Sequence, residues 1–288
     1  MTEITGKAAV VTGGGSGIGL GLAKELARQG ASVAVADILS DNARKVADEI
    51  NDAGGTAVAI HCDVSDRASI EQLKAEATAA LGTIQLVFAN AGATSFMPVA
   101  ELTESELDWM TEVNFKGVVW TALTFLTDMV EAGGGHLMAT ASMAGLIPTL
   151  VPVHTAYAGA KMGVIGFVRS MQLEVEEHGV SCTIYCPGGV INGMRDHNAK
   201  YRPERFGGPS DEQMQIPKAS FSSNRLRFLT PEDVAPIVLK AVRDDRPFVF
   251  DHSEQRQQFR ELYSDVVEAC FDDIERWEEE NGSGRAAP

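Results

Sequence analysis

The most constraining feature of this sequence is a glycine-rich turn close to its start. A short apolar run, Lys7 to Val11, leads directly into Thr12-Gly13-Gly14-Gly15-Ser16-Gly17-Ile18-Gly19, and a helical pattern of apolar residues follows. Glycines allow the backbone to turn tightly and to approach a bound group closely. The start of the helix presents free N–H groups and the positive end of its dipole to an anion. A strand, a glycine turn and a helix in this order predict a dinucleotide-binding unit.

Strand-like and helix-like segments alternate along most of the chain. Further strands are predicted at 32–36, 56–61, 84–89, 136–140, 180–186 and 247–250. These runs are apolar throughout rather than alternating, which is typical of parallel strands buried on both faces. The pattern predicts an α/β fold with a doubly wound, Rossmann-type parallel sheet. We expect one domain over 1–288, with an irregular insert at 191–228 that forms a substrate lid and an extended C-terminal helix at 252–281.

Composition and charge limit the partners of the chain. Its 288 residues are 44% hydrophobic and 22% charged, which is close to the average of globular proteins. The formal net charge is −16 and no basic stripe is present, so nucleic-acid binding and membrane binding are not expected. Neither a signal peptide nor an apolar stretch of membrane-spanning length is visible, and a cytoplasmic location is expected. The four cysteines lack the spacing of a zinc site or a CxxC pair, so no metal is expected.

Two acidic residues follow the second and third predicted strands, where ligands of open α/β sheets bind. Asp37 lies about twenty residues past the glycines. It can accept hydrogen bonds from an adenosine ribose, or it can cap the next helix. The charge of Asp37 would repel the 2′-phosphate of NADP. Ser16 stands where an arginine could have helped to hold that phosphate, so NAD is favoured over NADP. Asp63 could contact adenine or cap the helix that follows it.

Further candidate site residues follow other strands or lie in one helix and one loop. Asn90-Ala91-Gly92 follows the fourth strand, and its small residues permit the close approach of a flat ligand. Ser142 follows the fifth strand. Asn114 lies among apolar residues of a long helix expected to begin near Glu104, so it must be buried and needs a water or a backbone group as partner. His154 could touch substrate, although a place on the loop surface is favoured.

Tyr157 and Lys161 are four residues apart and lie on the same face of a predicted helix. A free tyrosine has a pKa of about 10 and is a poor base at neutral pH. A neighbouring ammonium favours the phenolate and lowers that pKa. The pair is therefore a candidate for moving a proton on and off an alcohol oxygen.

In combination and in this order, the motifs resemble the classical short-chain dehydrogenase/reductase family over roughly residues 5 to 250. The matching residues are Thr12-Gly13-xxx-Gly17-Ile18-Gly19, Asp37, Asp63-Val64, Asn90-Ala91-Gly92, Asn114, Ser142, Tyr157-xxx-Lys161 and Pro187-Gly188. The resemblance implies that Tyr157 is the acid and base, and that Lys161 lowers its pKa and holds the nicotinamide ribose. It also implies that Ser142 binds the substrate oxygen and that Asn114 holds a relay water.

The resemblance also implies a cofactor site. Its residues are Gly13, Ser16, Gly17, Ile18, Gly19, Asp37, Asp63, Val64, Asn90, Ala91, Gly92, Tyr157, Lys161, Pro187, Gly188 and Val190. Three departures from the family pattern stand out. Ala89 replaces an asparagine, Asn192 replaces a threonine near the cofactor diphosphate, and the segment from Ser142 to Tyr157 is slightly longer than is common. The insert with Tyr201 to Phe206 and the long C-terminal helix resemble a subgroup that oxidises bulky aryl alcohols, including the Cα-dehydrogenases acting on lignin-derived ethers.

The expected activity is reversible hydride transfer between NAD and a secondary alcohol or ketone that is bulky or aromatic. Side chains expected to form an apolar substrate pocket are Phe96, Met143, His154, Met194, Phe206 and Phe221. One alternative is an NADP-dependent ketone reductase of the same family. Another is a catalytically silent dinucleotide-sensing regulator, against which the intact Asn114, Ser142, Tyr157 and Lys161 argue. The family implies a homotetramer or homodimer, and an apolar stripe on the C-terminal helix is consistent with either.

Overall fold

A computed structural model describes residues 1–191, 194, 198–209 and 227–282 of the chain. Its strands are β1 Ala8–Thr12, β2 Ser32–Asp37, β3 Thr56–His61, β4 Ile84–Ala89, β5 Gly135–Thr140, β6 Val180–Cys186 and β7 Phe248–Phe250. They form one seven-stranded sheet in the order β3-β2-β1-β4-β5-β6-β7, and all neighbouring strands run parallel. The predicted doubly wound parallel sheet is confirmed, and every predicted strand boundary lies within one residue of the observed one.

Helices connect the strands and cover the sheet. They are α1 Gly17–Arg28, α2 Ser40–Asp52, α3 Arg67–Leu81, α4 Glu104–Thr111, α5 Gly117–Glu131, α6 Met143–Leu146, α7 Thr155–Val175, α8 Pro231–Arg243, α9 Gln255–Phe259 and α10 Asp265–Asn281. Within the described ranges, no helix combines the length and apolar character needed to cross a membrane.

Two helical regions differ from the prediction. The single long helix expected from Glu104 is α4 and α5 joined by a π-helical turn, Glu112–Lys116. The loop expected directly after Ser142 begins with the short helix α6, because the Ser142 side chain caps it by accepting a hydrogen bond from the Ala144 N–H at 3.1 Å.

The chain divides into two compact units, Met1–Asp251 and His252–Pro288. The second unit contains α9, a π-helical turn at Arg260–Ser264 and α10, so the predicted C-terminal helix is present. Its large apolar residues Leu262, Val266, Val267, Phe271, Ile274 and Trp277 are exposed. A single domain over 1–288 stays a prediction, since the contacts separate these two units.

Packing in the first unit follows from the apolar patterns. Every residue of β1 is buried, and Leu22 and Leu26 of α1 are fully buried. Burying each such side chain contributes roughly 1.5–3 kcal/mol. Helix α8 starts as predicted, with Thr230 as its cap and Pro231 at its first position. Helices α1 and α8 approach closely at Gly21, where a Cβ would lie 2.5 Å from the Pro231 carbonyl oxygen.

The glycine turn between β1 and α1 requires its glycines for two reasons. Gly13 and Gly17 adopt φ values of 63° and 49°, which favour glycine. A Cβ at Gly13 would also lie 2.9 Å from the Cα of Ala91. The turn therefore sits directly against the segment that follows β4.

The Thr12 side chain joins the ends of β1 and β4. Its Oγ1 accepts hydrogen bonds from the N–H groups of Asn90 at 3.0 Å and Ala91 at 3.1 Å. The Asn90 amide donates in return to the Thr12 carbonyl oxygen at 3.1 Å. Thr12 is buried and the two N–H groups are partly buried, so these bonds satisfy backbone groups that have limited access to water.

Replacing Thr12 by valine keeps the shape of the side chain and removes the acceptor for two partly buried N–H groups. We expect the free energy of unfolding to fall by about 1–3 kcal/mol, since each intramolecular hydrogen bond contributes roughly 0.5–1.5 kcal/mol. Urea unfolding of both proteins measures this change. Thr12→Ser restores the hydroxyl and is the matched control; equal stability of the valine variant and the wild type would contradict the role of the hydroxyl.

Candidate active site

A cleft with about 1220 Å³ of space not filled by atoms, part of it open to solvent, lies along the carboxyl ends of the strands. Its lining comprises Gly13, Ser16, Gly17, Ile18, Asp37, Ile38, Cys62, Asp63, Val64, Asn90, Ala91, Gly92, Ala93, Trp109, Val113, Thr140, Ala141, Ser142, Tyr157, Lys161, Pro187, Gly188, Val190, Met194, Tyr201 and Pro203. Of the predicted cofactor residues, only Gly19 is missing from this lining. A Cβ at Gly19 would lie 2.1 Å from the Gly13 carbonyl oxygen, so this glycine is needed for the turn itself.

Asp37 marks one end of the cleft. Its Oδ2 accepts a hydrogen bond from the Gly15 N–H and its Oδ1 one from the Leu39 N–H, each at 3.0 Å. The residue preceding α2 is Leu39, so Asp37 does not cap that helix. Burial raises the pKa of the Asp37 carboxyl, and the two backbone hydrogen bonds oppose that rise. The carboxylate thus ties the glycine turn to the end of β2 while it faces the cleft.

Asp63 lies at the end of β3 and also lines the cleft. Its Oδ1 accepts hydrogen bonds from the N–H of Ser65 at 2.9 Å and from the hydroxyl of Ser65 at 2.5 Å. Its Oδ2 lies 3.2 Å from a guanidinium nitrogen of Arg205. The alternative that Asp63 caps α3 is wrong, because Asp66 is the capping residue and accepts from the Ala68 N–H.

The middle of the cleft is built on a chain of hydrogen bonds between strand ends. The Thr140 hydroxyl donates to Asn90 Oδ1 at 3.0 Å. The Lys161 ammonium donates to the Thr140 carbonyl oxygen at 2.7 Å. Lys161 is fully buried, and burial lowers the pKa of its ammonium to about 8. The lysine is therefore held by the main chain of β5 rather than by the phenol one helical turn away.

Tyr157 is buried, and both it and Ser142 line the cleft. Burial raises the pKa of Tyr157 to about 12, while the polar Ser142 side chain acts in the other direction. The Lys161 nitrogen lies 5.8 Å from the centre of the Tyr157 ring. The predicted net lowering of the Tyr157 pKa is therefore wrong for this geometry, because removal of the phenol from water has the largest effect on that pKa.

Asn114 is fully buried in the π-helical turn between α4 and α5. Its Oδ1 accepts from the Ala93 N–H at 3.2 Å, and its amide donates to the Met110 carbonyl oxygen at 3.0 Å. Its partners are thus backbone groups. A Cβ at Gly92 would lie 3.0 Å from Asn114 Oδ1 and 3.5 Å from the Lys161 nitrogen, so Asn114 stands close behind the cleft wall.

His154 is buried, so the favoured place on the loop surface is wrong. Its ring stacks between Phe96 and Tyr157, with centroid distances of 4.3 Å and 4.2 Å. Its Nε2 lies 2.8 Å from the Thr94 hydroxyl, while Nδ1 has no hydrogen-bond partner among the described residues. Burial lowers the pKa of His154 to about 4, so the imidazole is neutral at physiological pH.

The other expected substrate residues are spread over several environments. Met194 lines the cleft. Phe96 belongs to the ring stack, whereas Met143 and Phe206 are buried and are not part of the lining. Phe221 and Asn192 lie outside the described residues, as does part of the lid predicted at 191–228.

Several residues of the site were not predicted. Trp109, Val113, Thr140 and Tyr201 line the cleft. Asp251 receives hydrogen bonds from the Gly188 N–H at 2.9 Å and the Tyr185 hydroxyl at 2.6 Å, which fixes the segment after β6. Thr140 is the last residue of β5, and Asp251 directly follows β7. Ligands of open α/β sheets bind at the carboxyl ends of the strands, so a search for polar residues there would have found both. No group of three or more His, Cys, Asp or Glu suited to a metal ion occurs in the described ranges.

The cleft fits a dinucleotide. The start of α1 lines it, and the first turn of that helix contains no acidic residue, so its positive end can face a diphosphate. Gly13 lines the cleft without a side chain, so a diphosphate can approach the main chain closely there. Asp37 offers a buried carboxylate at one end, and Ser142, Tyr157 and Lys161 meet at the other part of the cleft.

Comparison with known proteins agrees with this geometry. The family model described as short chain dehydrogenase matches residues 7–202. A hydroxynaphthalene reductase-like protein of Metarhizium robertsii is 34% identical over 251 residues, with 86% of this chain and 92% of that protein covered. A C alpha-dehydrogenase of Sphingobium sp. is 26% identical over 271 residues, covering 93% and 88%.

A solved structure extends the comparison to three dimensions. It is a short chain dehydrogenase/reductase from Burkholderia phymatum in complex with NAD. It superposes with a TM-score of 0.84 at 27% identity and covers 93% of this chain and 96% of its own. Both the predicted fold and the predicted family are confirmed.

The buried, neutral His154 makes stability depend on pH. Its folded pKa of about 4 lies below the ordinary value of 6.5, so the unfolded chain takes up the proton first as the pH falls. Neutral His154 therefore contributes on the order of 3 kcal/mol to the free energy of unfolding above about pH 6.5. This contribution is lost as the pH falls from about 6.5 to about 4. Urea unfolding at several pH values measures it.

His154→Phe keeps a ring in the stack and removes the titrating group, so we expect a shallower loss of stability over the same pH range. His136, which is also buried with a lowered pKa, contributes equally to both proteins. Parallel pH profiles for wild type and variant would show that His154 does not titrate as its burial requires.

Proposed function

Because the chain belongs to the short-chain dehydrogenase family, we propose that it catalyses reversible hydride transfer between NAD and a secondary alcohol or the corresponding ketone. The observation that supports this activity is the presence of Ser142, Tyr157 and the buried Lys161 together in the lining of one cleft. A bound nicotinamide dinucleotide supplies or accepts the hydride.

In this proposal Tyr157 moves the proton. With its pKa raised to about 12, the phenol is protonated at neutral pH and donates its proton to the carbonyl oxygen in reduction. In oxidation the same oxygen takes the proton of the substrate hydroxyl. Ser142 and the Tyr157 hydroxyl both bind the substrate oxygen and stabilise the negative charge that develops on it.

Lys161 and Asn114 support this proton transfer. The ammonium, held on the Thr140 carbonyl oxygen, binds the ribose next to the nicotinamide and presents a positive charge behind the phenol. A lysine with a pKa of about 8 exchanges protons readily near neutral pH. Asn114, buried behind Gly92, holds the water that connects this lysine to solvent.

Tyr157→Phe removes the proton donor and keeps the ring that packs on His154. We expect kcat to fall by at least roughly 10²–10⁴-fold, the contribution of a general acid or base. Turnover is followed by absorbance of the reduced nicotinamide, and NADH binding is checked by its fluorescence. Tyr263→Phe, in the C-terminal unit, is the matched control; wild-type turnover of Tyr157→Phe would disprove the assignment.

The preference for NAD rests on Asp37. A buried carboxylate that faces the cleft accepts hydrogen bonds from a ribose and repels a 2′-phosphate at the same place. The competing proposal is the same reaction with NADP.

Asp37→Asn removes the charge and keeps an oxygen that can accept from the Gly15 N–H. We expect the ratio of kcat/KM for NAD over NADP to fall by roughly 10-fold or more, because like-charge repulsion costs several kcal/mol. Steady-state kinetics with both cofactors measures the ratio. A wild-type preference for NADP would favour the alternative NADP-dependent reductase. An unchanged ratio of kcat/KM for NAD over NADP in the variant would show that Asp37 does not discriminate between the two cofactors.

The substrate we propose is bulky or aromatic. Trp109, Val113 and Met194 give the cleft an apolar wall. The names of the relatives, a C alpha-dehydrogenase and a hydroxynaphthalene reductase-like protein, support the same class. A panel of aliphatic and aryl secondary alcohols distinguishes the two classes. Binding of NADH without turnover of any alcohol would favour a dinucleotide-sensing regulator.

We also propose a homotetramer or homodimer in the cytoplasm. The exposed apolar side chains of α10 favour association. Free thiols at Cys62, Cys182, Cys186 and Cys270 are typical of a reducing compartment. Light scattering after gel filtration gives the number of subunits.

A further inference from the structure

A short segment of the insert, residues 198–207, lies beside the cleft and is called the strap below. It contains two 3₁₀ turns, Asn198–Tyr201 and Glu204–Phe206. Tyr201 and Pro203 of the strap line the cleft. The strap therefore belongs to the walls of the candidate site.

Arg202 anchors the strap to α4. Its guanidinium forms an ion pair of 2.7 Å with Glu106, which is buried, and lies 4.6 Å above the ring of Trp109. A partly buried pair with additional stacking is stronger than an ion pair in water. This anchor fixes the position of the strap relative to the cleft wall.

Phe206 anchors the other end of the strap. Its side chain is buried. Its carbonyl oxygen accepts hydrogen bonds from the Ser105 hydroxyl at 2.7 Å and from Nε of Arg202. The residues between these anchors are thus held in a defined conformation.

Tyr201 reaches the end of the cleft that is marked by Asp37. Tyr201 and Asp37 both line the cleft. Burial raises the pKa of Tyr201, and the Asp37 carboxylate acts in the same direction because it lies nearby. The strap therefore lies near the end of β2, far along the cleft from Tyr157 in the sheet order.

Arg205 contacts the end of β3. One guanidinium nitrogen lies 3.2 Å from Asp63 Oδ2 and 2.5 Å from the Ser65 hydroxyl. The guanidinium also stacks 4.7 Å above the ring of Phe206. Its side chain is 46% exposed, so the cation remains accessible to solvent.

We propose that Tyr201 and Arg205 are cofactor-binding residues, and that the strap closes over the adenosine end of the bound dinucleotide. This inference rests on the proposed function, because it takes the cleft as a dinucleotide site. A phenol ring and a planar guanidinium are the groups that stack on a purine base. Arg205 also offsets the charge of Asp63, which in a chain of net charge −16 would otherwise repel an anionic ligand.

The arrangement has a kinetic consequence. Tyr201 lines the cleft near Asp37, and Arg205 bridges to Asp63, so the strap extends along the strand ends of β2 and β3. A dinucleotide held beneath it can leave fully only when the strap moves and the contact between Arg205 and Asp63 opens. The strap should therefore slow dissociation of the cofactor more than it affects binding of the substrate.

The test measures binding of NADH and of ADP-ribose to the full-length protein by calorimetry, together with the dissociation rate of NADH by stopped-flow fluorescence. ADP-ribose carries the adenosine, the diphosphate and the second ribose, and lacks only the nicotinamide. We expect Tyr201→Ala to raise the Kd of both ligands by about 10-fold, the effect of losing one base–aromatic stack. Arg205→Ala should raise both by roughly 3–10-fold, and both variants should release NADH faster.

Tyr263→Ala and Arg28→Ala are the matched controls, since they remove the same residue types and neither residue belongs to the cleft lining. Tyr201→Phe keeps the ring and loses the hydroxyl, and Arg205→Lys keeps the charge without the planar group; these variants provide the test if an alanine variant does not fold. We expect Tyr201→Phe to retain most of the affinity and Arg205→Lys to lose part of it.

Three results would overturn the inference. Unchanged Kd values and release rates in every strap variant would show that the strap does not touch the cofactor. Weaker binding of NADH with unchanged binding of ADP-ribose would place the contact at the nicotinamide ring instead of the adenosine end. Failure of the wild type to bind either ligand would overturn the proposed function itself, which the first two results leave intact.

Discussion

Asn90 joins the strand ends on which the site is built. Through it Thr12 at the end of β1 and Thr140 at the end of β5 are linked in one chain of hydrogen bonds, and Lys161 extends that chain by donating to the Thr140 carbonyl oxygen. Adjacent strands in a sheet are twisted relative to one another, so their ends need cross-links to keep a fixed spacing. The glycine turn and the lysine are therefore parts of the same polar network, and a change at one affects the geometry at the other.

Burial gives this network its chemical character. Removal from water favours the neutral form of each titrating side chain, which raises the pKa of Tyr157 to about 12 and lowers those of Lys161 and His154 to about 8 and 4. Electrostatic interactions are also stronger there than in water. The stack of Phe96, His154 and Tyr157 excludes solvent from one face of the phenol and limits the orientations that its hydroxyl can take.

The two ends of the cleft carry different chemical groups. Ser142 and Tyr157 both contribute a hydroxyl-bearing side chain to the cleft lining, which suits a substrate oxygen on which charge develops. Around Asp37 and Asp63, carboxylates are fixed by backbone and side-chain donors, which suits recognition of ribose and base but adds negative charge. The strap brings an arginine to the second end, so the insert contributes to the site well away from the reacting atoms.

Local patterns in the sequence were sufficient for the strands, the glycine turn, the start of α8 at Thr230 and most residues of the cleft lining, because apolar periodicity and turn chemistry act over a few residues. Asp37, Ser142 and Tyr157 could be placed at the cleft because parallel strands end at one edge of the sheet. Arg205 could not be predicted as the partner of Asp63 from such patterns, because it lies 142 positions further along the chain. The burial of His154 and the direction of the Tyr157 pKa likewise depend on the summed contacts of distant elements, which only the tertiary structure decides.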